Sequence, residues 1–299
     1  PVIGRLSDTW GRRPMLLFSI TGTLISFILL ALVEPLGRWL AAAVPHWFTV
    51  SGAALTWLFI SRVLDGLFGG NVSLARAYIT DITDEKNRAR GLGLIGAAFG
   101  TGFIIGPALG GTLSNWPYLT GLFEANGLSR YAVPAFAATI LSVLNLVGVA
   151  LWLPESLTPE RRARLADRNR ALLPIRKLRD LLQRPRVGPL LQTRFFYSLA
   201  FTMFTTNFAL YTRLRFGLTD QTTSYILTYV GVLVVLVQGV IVGFLTDRFP
   251  EKQIIVVGVT ILALALLGWA MVPNLALMLA VLTFLPLSGG TLNTVTNSA

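Results

Sequence analysis

The stretch Gly91 to Gly111, GLGLIGAAFGTGFIIGPALGG, limits what this chain can fold into more than any other. About 20 apolar residues at roughly 1.5 Å each cross the hydrocarbon of a bilayer, and this run has that length. Eight of its residues are glycine, a composition that no isolated helix in water would favour. Gly96 and Gly100 stand four apart, and Gly102, Gly106 and Gly110 repeat the interval. On a helix such spacing makes flat strips on which a second helix can approach to backbone contact. Pro107 lacks an N–H and clashes with the preceding turn, which predicts a bend near the helix end. Tight packing in a membrane bundle would explain the glycines alone. Glycines followed by Gly-Pro and then Gly-Gly ask for more.

Composition agrees with a membrane assignment. Of 299 residues, 54% are hydrophobic and only 13% charged, which describes an all-α integral membrane protein and not a soluble domain. There is no cysteine and one histidine, His46, between spans. Disulfides, thiolate chemistry and metal sites built on His and Cys clusters are thereby excluded. The chain opens on Pro1 and stops at Ala299 straight after an apolar run, so a fragment lacking both ends is expected.

Apolar runs follow a polar, turn-prone link, Gly4 to Pro14, in order along the chain. They cover Met15–Val33, Ala53–Thr80, the glycine stretch and Tyr131–Leu153, with Glu34–Val50 and Leu113–Arg130 read as loops. Residues 154–188 change character and hold ten Lys or Arg. Further runs lie at Pro189–Thr212, Thr223–Leu245, Ile254–Val272 and Leu275–Thr296. Eight spans are therefore expected, in an N-terminal bundle (1–153) and a C-terminal bundle (189–299) joined by a basic linker (154–188). Loops on alternate sides hold 18 basic residues against four: Arg38, Arg130, Arg213 and Arg215. The richer side, with the linker, is expected to be cytoplasmic. The net charge of +11 thus reports topology, with some attraction to anionic lipid. Nucleic acid is not needed to explain it.

Three constellations carry chemistry. Arg62, Asp65, Gly66, Gly69, Ser73 and Ala77 fall on one helical face. Arg62, about nine residues into its run, lies roughly 13 Å down, where a charge costs at least about 2.5 kcal/mol and needs a partner or an aqueous cavity. Asp65 is the local partner. The pair is read either as a structural ion pair or as a proton-responsive pair facing a cavity. In GRLSDTWGRRP, Gly4 allows close helix approach and Asp8 offers an acceptor at a helix end. Arg12 and Arg13, after Gly11, can reach acidic partners such as Asp81. GRLSD recurs as GFLTD at Gly243–Asp247, a weak internal repeat. Phe204, Asn207 and Tyr211 share a face, and with Tyr229 and Gln238 they could line an amphipathic pocket for a flat drug-like molecule.

GTGFIIGPALGG, with Gly102, Gly106, Pro107, Gly110 and Gly111, resembles the fifth-helix antiporter motif of the major facilitator superfamily. RVLDGLFGGN resembles its fourth-helix motif, whose arginine the family associates with proton coupling, and GRLSDTWGRRP its loop between helices two and three. The run RVLDGLFGGNVSLARAYITDIT is similar to the tetracycline-efflux branch. The resemblance implies two six-helix bundles, of which helices three to ten and the tail of helix two are present, about eight or nine spans. It implies a monomer in the plasma (inner) membrane that exports a small lipophilic compound by alternating access, with the proton as coupling ion and no other cofactor. The loop motif would clamp the cytoplasmic side. Tetracycline exporters carry acidic residues within helices three and nine, and Met15–Val33 holds none and Ile254–Val272 none, which argues against tetracycline itself. A sugar or metabolite symporter or uniporter of the same superfamily is the main alternative. A membrane-embedded enzyme is the remote one, since it would need a nucleophile, an acid–base pair or a metal site near a membrane face. The chain has no Cys, one loop His and no clustered carboxylates within its spans.

Overall fold

The computed structural model describes residues 2–158, 180, 182–184, 187–237, 241, 244–245 and 248–298. Among these, regular structure is helical throughout. The helices are α1 (Val2–Trp10), α2 (Arg12–Ala31), α3 (Val33–Ala43), α4 (Val50–Phe68), α5 (Asn71–Ile82) and α6 (Glu85–Leu113). They continue with α7 (Pro117–Ala125), α8 (Ala132–Trp152), α9 (Val187–Phe216), α10 (Asp220–Leu236), α11 (Glu251–Met271) and α12 (Leu275–Ser298). Two compact units result: residues 1–96 with 112–173, and residues 97–111 with 174–299. The middle of the glycine helix α6 therefore belongs to the second unit.

Among the described residues, five stretches are long and apolar enough to cross a membrane: Arg12–Ala31, Val50–Ile82, Lys86–Leu113, Ala132–Trp152 and Lys252–Met271. The eight expected spans are not all matched at that standard. α10 has 17 residues, α12 is apolar only over Leu275–Ser288, and α9 carries Arg194, Arg213 and Arg215. In oil a hydroxyl must find an acceptor, and Thr21, Ser26, Thr139 and Thr260 each find one in their own helix, the carbonyl four residues back.

Three stretches read as loops or links are helices. Residues 34–50 contain α3, which runs beside α4 so closely that a Cβ on Gly37 would come 2.9 Å from the Ala54 backbone. Residues 113–130 contain α7, with Pro117 at its first turn. The link Gly4–Pro14 is mostly α1, interrupted only at Gly11, whose φ of 108° lies where glycine is favoured. No atom comes within 4 Å of a Cβ placed on Gly4, so the helix contact expected there is not made.

The core of the first unit joins α2, α5 and α8. Met15 and Leu16 pack on Leu74 and Tyr78, with Val149 and Leu153 alongside. The second core joins α9, α10 and α12 through Phe204, Phe208, Ile226, Val230, Met278, Leu282 and Leu285, and Trp269 of α11 packs against it.

Candidate transport site

The charged end of the first unit is built around Arg12, at the start of α2. Its Nη1 lies 2.7 Å from Asp8 on α1, and its Nε lies 2.8 Å from Asp81 at the end of α5. The side chains of Arg12 and Asp81 are only 8% and 4% exposed, so the ion pair is shielded and directional. Arg12 also donates to the Ser7 hydroxyl, which itself donates to the Gly4 carbonyl at 2.6 Å. The pairing expected between Arg12 and Asp81 is therefore made. Arg13 does something else: its Nη2 donates to the Ala150 carbonyl at 2.6 Å, tying α2 to α8.

Glu155 completes this end and escaped the sequence reading. Its two oxygens accept the backbone N–H groups of Arg12 and Arg13 at 2.9 and 3.1 Å. A carboxylate on the free amides of a helix N-terminus offsets both missing hydrogen bonds and the positive end of the dipole. The only signal in the sequence was LPES after an apolar run, 143 positions away from Arg12.

Arg62 and Asp65 meet as expected, with Nη1 3.5 Å from Oδ2, one turn apart on α4. Their surroundings differ from expectation. The side chains are 42% and 34% exposed, so neither charge is enclosed by protein. Arg62 is 12 residues from the start of α4, or about 18 Å along the axis. The shared face is also interrupted, because α4 ends at Phe68 and α5 restarts at Asn71 after Gly69 and Gly70. The Ser19 hydroxyl donates to the Phe68 carbonyl freed at that break. Ser73 and Ala77 thus lie on a different helix from Arg62.

The glycine helix runs unbroken through Pro107 from Glu85 to Leu113. Within the second unit it packs antiparallel to α10. A Cβ on Gly231 would come 2.8 Å from the Phe103 carbonyl oxygen, and one on Gly111 would come 2.5 Å from Ser224. A Cβ on Gly100 would come 2.9 Å from Val235. Gly102, Gly106 and Gly110 have nothing within 4 Å of an added Cβ. Of the two glycine strips expected to pack, close approach is made at Gly100 and, beyond the strips, at Gly111 and Gly231, and not at Gly96, Gly102, Gly106 or Gly110. A four-residue spacing marks a face without saying which of its positions meets the partner.

The proposed pocket residues do not converge. Phe204 is buried against Phe208 and Trp269, and the Tyr211 hydroxyl donates to the Trp269 carbonyl at 2.9 Å. Both are core, held by the indole of α11. Asn207 is exposed and donates to the Met203 carbonyl in its own helix. Tyr229 pairs with Thr283 at 2.8 Å. Gln238 lies outside the described residues, as do Gly243, Thr246 and Asp247 of the repeat. A cavity of about 490 Å³ between α9 and α11 is lined instead by Gln192, Thr193, Phe196, Tyr197, Leu262 and Leu266, among others.

The family model described as Major Facilitator Superfamily matches residues 1–299. The class C tetracycline resistance protein of Escherichia coli is 31% identical over 93% of this chain and 63% of its own length. Solute carrier family 22 member 18 of Mus musculus is 28% identical over all of this chain and 67% of its own. The crystal structure of the human organic anion transporter MFSD10 (TETRAN) covers the whole chain and 65% of that protein, with a TM-score of 0.65 at 20% identity. The chain thus spans just under two thirds of the first of these relatives. With helices alone among its described elements, charged motifs at their ends and a family match from end to end, the chain belongs to the Major Facilitator Superfamily, in its tetracycline-efflux-like branch.

Proposed function

We propose that the protein exports a lipophilic compound by alternating access, driven by protons entering in exchange. The observation that carries this reading is the Arg62–Asp65 pair, 3.5 Å apart and partly exposed on a membrane-spanning helix. An ion pair at membrane depth that protein does not enclose is open to a proton and to a change of partner. Protonating Asp65 removes one charge and leaves Arg62 to seek another acceptor. Several relatives carry the name tetracycline resistance protein, which supports efflux as the direction.

The substrate is a neutral or anionic amphiphile. Within the membrane-spanning runs away from their ends, the charges are Arg62 and Asp65, and that carboxylate already has a partner. Arg76 lies near a run's end, where it can snorkel to the headgroups, and has no assigned role in transport. A cationic substrate would find no unpaired carboxylate in these runs. The chain contributes eight or nine spans, sits in the plasma membrane as a monomer and keeps residues 154–188 on the cytoplasmic side.

The test is transport by the whole protein in vesicles, with a neutral, an anionic and a cationic lipophilic dye under an imposed pH gradient. Export of the first two against their gradients, abolished by a protonophore, is expected. Uptake of a sugar driven by the proton gradient would favour the symporter reading instead, and gradient-independent sugar flux the uniporter one.

A further inference from the structure

α2 packs along α8, and at the end of this pair remote from Arg12 and Glu155 the two helices part around a slot. The slot has a volume of about 440 Å³, within the range of about 300–1,000 Å³ usual for ligand sites. Phe27 and Leu30 of α2, Leu58 of α4, and Ala135 and Ala138 of α8 line its apolar depth. The alanines make the space: Ala132, Ala135 and Ala138 recur every third residue, and single-carbon side chains leave a groove along α8. From Tyr131 to Ala138 the slot runs about 10 Å along the helix.

One acidic group borders this apolar space. Glu34 stands in the first turn of α3, where the helix dipole favours a carboxylate. One of its oxygens accepts the backbone N–H of Ser129, while Arg38, one turn further on, donates to the Gly127 carbonyl at 2.7 Å. Together these bonds tie α3 to the turn before α8. The second Glu34 oxygen has no hydrogen bond and no basic partner among the described residues. A carboxylate beside an apolar slot costs free energy until a donor or a cation meets it. Arg130 is engaged elsewhere: its guanidinium lies 4.9 Å over the ring of Tyr131, the half-exposed residue at the mouth of the slot.

The occupant must bring a donating cation to Glu34, an anion towards Arg130 and an apolar chain to the alanine groove. Glu34 and Tyr131 stand just past the ends of the spans Arg12–Ala31 and Ala132–Trp152, so the charges meet headgroups and the groove meets acyl chains. We propose that the slot is a headgroup-selective lipid site. It takes one aminophospholipid, with the ammonium on the second Glu34 oxygen, the phosphate towards Arg130 and an acyl chain between α2 and α8. A primary ammonium offers three N–H donors, and a choline headgroup offers none. An anionic lipid brings no cation for Glu34. The bound lipid braces the junction between α3 and the turn before α8, whatever compound the protein transports.

The whole protein in detergent micelles is offered phosphatidylethanolamine, phosphatidylcholine and phosphatidylglycerol with identical acyl chains, and retained lipid is counted by native mass spectrometry. The ethanolamine lipid should be kept roughly tenfold better than the choline lipid, about the worth of one charge-assisted hydrogen bond. Glu34→Gln keeps an acceptor for Ser129, removes the charge and should level the two. Ala138→Phe fills the slot and should also remove the preference, with thermal unfolding still cooperative. Equal retention of ethanolamine and choline lipid by the unaltered protein, or a preference for phosphatidylglycerol, overturns the proposal without any variant. An ethanolamine preference that survives either substitution overturns it too, because the lipid then sits elsewhere.

Discussion

Removing Asp81 is the most informative single perturbation of the charged end. Arg12 and Asp81 lie 2.8 Å apart and are almost fully shielded. At an effective dielectric constant of about 20 their attraction is roughly 6 kcal/mol before desolvation. Breaking a shielded pair from one side typically costs 3–5 kcal/mol, because a charge is stranded. Arg12 keeps Asp8 at 2.7 Å, which places Asp81→Ala at the low end, about 3 kcal/mol, or roughly a hundredfold in the folded-to-unfolded ratio. Arg12→Ala should cost more, since it removes the cation from between Asp8 and Asp81. A double-mutant cycle isolates the pair: Arg12→Ala, Asp81→Ala and both together, each measured by denaturant unfolding of the purified protein in mixed micelles. The expected coupling energy is about 2 kcal/mol or more. A value below about 0.5 kcal/mol, as for surface pairs, would refute the view that this contact joins α2 to α5.

Three other outcomes are expected. Gly231→Leu should destabilise the protein and stop transport, because its side chain meets the Phe103 backbone, whereas Gly106→Leu should be tolerated in unfolding assays. Asp65→Asn should abolish concentrative dye export in vesicles and spare downhill flux; export that keeps its level and pH dependence would return the Arg62 pair to a structural role. Single cysteines at Ala42 and Ala163, in this cysteine-free background, should be labelled by an impermeant reagent from outside and inside respectively, and the reverse pattern would invert the topology.

The contrast between Arg12 and Phe204 shows what the sequence could reveal. Arg12, Asp8 and Asp81 were legible because charge at the ends of apolar runs has few places to go. Glu155 was not, since a cap 143 positions away is a product of the bundle. Helical spacing correctly put Phe204 and Tyr211 on one face. It could not say that Trp269 covers that face, 58 positions beyond Tyr211. The break at Gly69–Gly70 was hidden likewise, since Gly in a membrane helix is common and a break depends on neighbours such as Ser19. α3 and α7 were missed for a simpler reason: their prolines and polar residues are those of loops, and each is held by packing on α4 or α8.

The allocation of residues 97–111 to the second unit bears on how the chain is made. Phe103 and Ile104 leave the ribosome long before Gly231, the residue that packs on them. At about 5–20 residues per second, roughly 130 residues take on the order of 7–25 s to follow. During that interval a glycine-rich helix stands in the bilayer without its mate. Its closure is thus a late, long-range event in biogenesis, and the nascent chain should depend most on chaperoning in the membrane while α10 is still being synthesised.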